Sequence, residues 1–182
     1  MKSRAWSALL VSASIIASPS LADIKKGDKL QTLANLHPDM KRHLLYTLNY
    51  QLPGLIPVCS DVTVVKVSRK KLAFTYNGIE FEIDYEDFTE GAGVSFQQAV
   101  QNYLGPACDK EKMQSLDKVD QDGIRTGRPQ EGMTREGVLF AMGRPPVHAN
   151  PNLDATEWMY WKNRFAKMVI KFDASGKVSN IR

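Results

Sequence analysis

The chain predicts an α+β fold in two parts. A small antiparallel β domain with one helix comes first, followed by one or two helices packed on a three-stranded antiparallel sheet. Three stretches carry this expectation. In KLAFTYNGIEFEIDY (71–85), Leu72, Phe74, Tyr76, Ile79, Phe81 and Ile83 share one face when the chain turns at Asn77-Gly78. Both turn residues accept positive φ, as a two-residue type I′ turn requires, so turn chemistry and hydrophobic register agree on a hairpin. In EGMTREGVLFAMGRPP (131–146), Thr134 is placed as an N-cap and Met133 can staple onto Val138. Gly143 with Pro145-Pro146 ends the helix. In 157–181, the alternating runs EWMYWKN and AKMVIKF and the short run KVSNI read as a three-stranded meander, with a turn at Asp173–Gly176.

Taken in order, MKSRAWSALLVSASIIASPSLA (1–22) has the basic start, short apolar core and Ser20-Leu21-Ala22 cleavage pattern of a secretory signal peptide. Its apolar core is shorter than the ~20 residues a bilayer span needs. No Cys lies near the cleavage site, so no lipid-modified N-terminus is expected and the protein is placed in the periplasm. Residues 23–42 read as an N-terminal extension and 43–108 as the β-rich domain. Within it, HLLYTLNYQL (43–52) alternates Leu44, Tyr46, Leu48, Tyr50 and Leu52 and predicts a strand, closed by Pro53-Gly54. Val62 to Val67 is β-branched and predicts another. Ser95 with Gln98 forms a capping box for a helix whose stripe is Phe96, Ala99, Val100, Tyr103 and Leu104. Residues 109–130 read as a linker with a short helix that turns Met113, Leu116 and Val119 inward, and 131–182 as the helix plus meander.

The 131–146 helix is barely two turns long and unstable alone. Gly137 inside it costs about 1 kcal/mol relative to Ala. It therefore exists only if the following sheet receives Val138, Leu139 and Met142.

Composition narrows the function. The chain holds 24 Lys and Arg against 20 Asp and Glu, and Lys2 and Arg4 belong to the signal. The remaining balance is too even for a nucleic-acid partner. No later apolar run reaches transmembrane length. The two cysteines, Cys59 and Cys108, are an even count in an exported chain, which favours a disulfide over a reactive thiol.

Catalytic and metal patterns fail on inspection. Asp120-Gln121-Asp122-Gly123 resembles part of a calcium loop, but aligning its Gly puts Lys118 first and Pro129 twelfth, where acidic ligands are required. Ser68-x-x-Lys71 lies between strands and has no Lys-Thr-Gly partner. His37, His43 and His148 have no metal-ligand spacing. Glu80, Glu82, Asp84, Glu86 and Asp87 read as a solvated sheet face. No enzyme, cofactor or metal is expected.

The order Gly132-Met133-Thr134, Val138, Gly143-x-Pro145, Trp158-x-Tyr160, then Phe172 and Gly176-Lys177-Val178 resembles the SmpA/OmlA (BamE-like) family over about 114–182. The resemblance implies two helices on a three-stranded antiparallel sheet, with 109–130 supplying the first helix. It also implies a non-catalytic cell-envelope accessory role, with an envelope protein as partner and peripheral association with the outer membrane. Gly137 departs from the Gln or Glu usual there.

Trp158, Tyr160, Trp161, Arg164 and Phe165 fall within eight residues. Strand alternation sends Trp158 and Trp161 opposite ways, so one of them belongs outside the core. Aromatic and Arg side chains are typical binding anchors, which makes these five the expected partner-binding residues. The alternative is a ligand-binding (cell-wall or lipid) or enzyme-inhibitor protein, with a β-lactamase-inhibitor-like module and a groove between the halves lined by Tyr46, Tyr50, Tyr76 and Tyr103.

Overall fold

The computed structural model describes residues 23–182, so the expected signal peptide lies outside the described residues. The fold is α+β, with a six-stranded sheet, a three-stranded sheet and short helices. The first sheet contains β1 (Lys29–Thr32), β2 (Leu44–Tyr46), β3 (Asp61–Val67), β4 (Lys71–Tyr76), β5 (Ile79–Asp84) and β6 (Leu104–Gly105), in the order β2-β5-β4-β3-β1-β6. Two helices, α1 (Asp87–Gly91) and α2 (Phe96–Val100), follow β5.

The β4–β5 hairpin has the expected register, with Tyr76 opposite Ile79, Phe74 opposite Phe81 and Leu72 opposite Ile83. Asn77 and Gly78 take φ of 49° and 77°. Leu72, Phe74, Phe81 and Ile83 enter a core completed by Val62, Val64, Phe96, Val100 and Leu104. The Ser95–Gln98 capping box is present. On the other sheet face, Lys71 Nζ lies between the carboxylates of Glu82 and Asp84.

Three expectations are corrected. The sheet is mixed, because β2 runs parallel to β5. The strand expected over 43–52 ends at Tyr46, and Asn49 takes φ of 52°, so the alternating pattern does not continue as a ladder. The stretch read as an extension supplies β1, which lies between β3 and β6. Cys59 and Cys108 are joined, Cα to Cα 5.3 Å, across a sequence separation of 49. The bond brackets β1: Cys59 N donates to Thr32 O (2.9 Å) and Cys108 N to Gln31 Oε1 (3.0 Å).

The rest of the chain forms α3 (Lys110–Ser115), α4 (Lys118–Thr126), α5 (Arg135–Met142) and an antiparallel meander of β7 (Glu157–Asn163), β8 (Ala166–Phe172) and β9 (Val178–Ile181). The middle segment thus holds two helices where one was expected. Val138 and Met142 of α5 share a core with Met133, Ile124, Trp158, Tyr160, Ile170 and Val178, and Leu139, Met113, Leu116 and Val119 pack against it. Both sheet edges are occupied. The Asn150 side chain accepts from Met159 N (2.7 Å) and donates to Met159 O (2.8 Å) on β7, and Gln51 N donates to Trp161 O (2.8 Å). On β9, Val178 exchanges hydrogen bonds with Gly132 N and Met133 O, both 2.7 Å.

The two ends of α5 are built differently. At its start, the Thr134 hydroxyl accepts from Gly137 N (3.0 Å) and donates to Asp120 Oδ2 (3.0 Å), while Thr134 N donates to Asp120 Oδ1 (2.8 Å). Asp120 is fully buried. Burial pushes its carboxyl above the usual range, and the two Thr134 donors oppose that shift. The carboxylate sits against α5 because residue 137 has no side chain. At the end of α5, the sequence predicts a left-handed C′ residue at Gly143; its φ is positive (73°), but its ψ of −179° is extended rather than left-handed helical.

The last carbonyls of α5 have no partner within the helix. The first half of the chain supplies most of the partners. Phe140 O accepts from Asn35 N (2.9 Å), and Ala141 O from Asn35 Nδ2 (3.2 Å) and His37 Nε2 (3.1 Å). Met142 O accepts from Asn49 Nδ2 (2.7 Å) and Gln51 Nε2 (3.1 Å), and Arg144 O also accepts from Asn49 Nδ2 (2.9 Å). Asn35 Nδ2 reaches α4 as well, at Ile124 O (2.6 Å). A buried polar seam therefore joins the halves.

Candidate functional site

The five expected binding residues separate by strand parity and position. Trp158 and Tyr160 are 1% and 0% exposed and belong to the core. Trp158 Nε1 donates to Leu153 O (3.0 Å) and its ring meets Phe172 edge-on at 4.7 Å. The Tyr160 hydroxyl donates to Gly143 O (2.8 Å). Neither offers a surface to a partner, because both point inward with Met168, Ile170 and Phe172. The other three lie on the outer side or in the β7–β8 turn.

That turn is set by Asn163, whose Oδ1 accepts from Phe165 N (2.8 Å) and Ala166 N (3.1 Å), beside a register shift between Trp161 and Asn163. Arg164 and Phe165 are left at its tip. Phe165 is 82% exposed, with the Arg164 guanidinium 4.7 Å from its ring centroid. Trp161 is half-buried opposite Lys167, whose Nζ lies 4.7 Å from the indole centroid. The Trp161 Nε1–H is buried and has no acceptor.

The first half extends this face. The Gln51 bond to Trp161 O brings Tyr50 next to the β7 end. Burial raises the Tyr50 phenol, with Glu86 and Tyr46 adding to the shift and Arg164 opposing it. The Tyr46 and Tyr50 rings meet edge-on at 5.2 Å. Beyond Lys167, His148 stacks on Phe88 (5.4 Å), which is 65% exposed. Burial lowers the His148 imidazole, and the Lys167 charge lowers it further. An aromatic and cationic face thus runs from Phe88 through His148, Lys167 and Trp161 to Arg164 and Phe165. Phe88, His148 and Lys167 had no local signal in the sequence, because each comes from a separate element.

The second feature is a cleft of ≈ 440 Å³ between the halves, bordered by His37, Gln51, the 52–55 loop and residues 126–129. Tyr46, Tyr50, Tyr76 and Tyr103 do not line it. Tyr103 is instead a core residue whose hydroxyl donates to Thr47 O (3.1 Å). Among the described residues, no three His, Cys, Asp or Glu side chains converge as a metal set, and no helix is long and apolar enough to cross a membrane. No protein-family model, curated protein or solved structure matches the chain.

Proposed function

We propose that the protein is a non-enzymatic accessory of the bacterial cell envelope that works in the periplasm by docking on an envelope protein. The carrying observation is the aromatic and cationic face, with Phe165 fully presented and Arg164 stacked on it. Aromatic and Arg side chains dominate binding energy at protein interfaces. The signal-like N-terminus and the Cys59–Cys108 disulfide fit an exported protein. The α4–α5 pair beside a three-stranded meander is in keeping with the SmpA/OmlA (BamE-like) resemblance, and the same resemblance suggests peripheral outer-membrane association through the partner.

The test is a photo-reactive amino acid at position 165, with position 79 of the β4–β5 hairpin, also an exposed apolar residue, as control. A discrete envelope adduct is expected from 165 and not from 79, and it should disappear with Trp161→Ala or Arg164→Ala. Equal labelling from both positions, or an adduct indifferent to those substitutions, would overturn the reading.

A further inference from the structure

We infer that the cleft between the halves binds a small amphiphilic carboxylate, one anionic head on an apolar body. Its volume of ≈ 440 Å³ lies within the range of small-molecule pockets, which favour junctions between structural units. The apolar lining comes from both halves: Leu52 and Leu55 from one, Met142, Met168 and Ile181 from the other. Met142 and Met168 are unbranched thioethers, which adapt to an irregular apolar guest.

The charge of the lining is one-sided. Arg128 and Lys162 are its charged side chains, and no carboxylate accompanies them. Neither forms an ion pair among the described residues, as is true of other surface cations such as Lys66 and Arg144; what sets these two apart is their place on an apolar cleft. Cations without counter-ions beside apolar lining favour a ligand that brings the negative charge, and charge-assisted bonds to its oxygens fix its orientation. The end of α4 would otherwise repel an anion. Two of its last carbonyls are occupied, however: Gly123 O accepts from Arg128 N, and Ile124 O from Gly127 N and Asn35 Nδ2. His37 borders the same space with its Nε2 committed to Ala141 O.

The inference stands independently of the docking face and is tested with decanoate, below its micellar concentration, against the disulfide-bonded protein. Calorimetry should show saturable binding, and amide shifts should move at Leu55, Gly127 and Arg128. Arg128→Gln with Lys162→Gln should weaken binding by about tenfold or more, since each removes a bond to a charged group. Arg128→Lys with Lys162→Arg should retain it. Both positions are exposed and unpaired, and a urea midpoint for each variant checks folding. Decyltrimethylammonium, with the same chain and the opposite charge, should not compete. The inference is overturned if decanoate fails to saturate, if the Gln pair binds as tightly as the parent, if the cationic analogue competes, or if the shifts map to Arg164 and Phe165 and not to Leu55, Gly127 and Arg128.

Discussion

The Asp120 carboxylate occupies the space that a side chain at Gly137 would need: a Cβ on residue 137 would stand 1.8 Å from Asp120 Oδ1. The Thr134 cap, the buried acid and the bare helix position are thus one arrangement.

Gly137→Ala should therefore reverse the usual sign. In an ordinary helix interior this change stabilises by about 1 kcal/mol. Here it displaces the carboxylate and leaves Thr134 donors unpaired, so a net loss of about 2 kcal/mol is expected. Asp120→Ala should cost about 1–3 kcal/mol by itself. The double variant should lose less than the sum, because the new Cβ then overlaps only the Cβ of residue 120, at 2.9 Å, instead of the carboxylate oxygen and carbon. Urea midpoints of the four proteins test the coupling, and additive losses would refute it.

Asn35 is the central residue of the seam, with Nδ2 on Ile124 O and Ala141 O and Oδ1 accepting from Val58 N (2.8 Å). Asn35→Ala should cost about 1–3 kcal/mol, because Val58 N is left without a partner, while Ile124 O and Ala141 O each lose one of two donors. Asn35→Asp should be worse at neutral pH despite its shape, because it sets a carboxylate oxygen against two carbonyls. Urea denaturation ranks the two variants, and faster amide exchange at Val58 is expected in both. An Asp variant as stable as the parent would show that the seam is not built on this amide.

His37 should make the protein acid-sensitive. Burial holds its imidazole below the ordinary 6.5, against the opposing carbonyls of Ala141, Leu52 and Gly54. Above about 6.5 both folded and unfolded chains carry it neutral and stability does not depend on it. As pH falls below 6.5, the unfolded chain gains a proton first, so stability falls until the folded value is reached. His148, also lowered, bends the curve the same way. His37→Gln keeps a donor toward Ala141 and should remove part of this slope, which urea midpoints between pH 7.5 and 5 would reveal. An unchanged slope would exclude His37 as a contributor.

The features readable in the sequence are those fixed by neighbours in the chain. The Asn77-Gly78 hairpin, the Ser95 box, the Thr134 cap and the meander each carry turn or cap chemistry beside a matching apolar period. β1 was not readable, because Lys-Leu-Gln-Thr has no alternation and is held by β3 and β6, which are distant in sequence. Leu48 to Leu52 kept a strand-like alternation, yet Asn49 is drawn away to cap α5. The roles of Asn35, His37 and Asn49 depend on carbonyls about ninety residues or more further on, and polar residues give no sign of such burial. Within the candidate site, Trp161, Arg164 and Phe165 stood out as a local cluster. The parity that places Trp158 inward applies equally to Tyr160, two residues later.

Asn150, Gln51 and the 132–133 segment have a further effect where they meet the rims of the meander. Exposed strand rims recruit strands from other molecules and seed aggregates. With Met159, Trp161 and Val178 already engaged, a second molecule finds little backbone there to extend, which protects against polymerisation at high concentration. It also means that recognition on this side of the molecule must be read through side chains rather than by adding a strand.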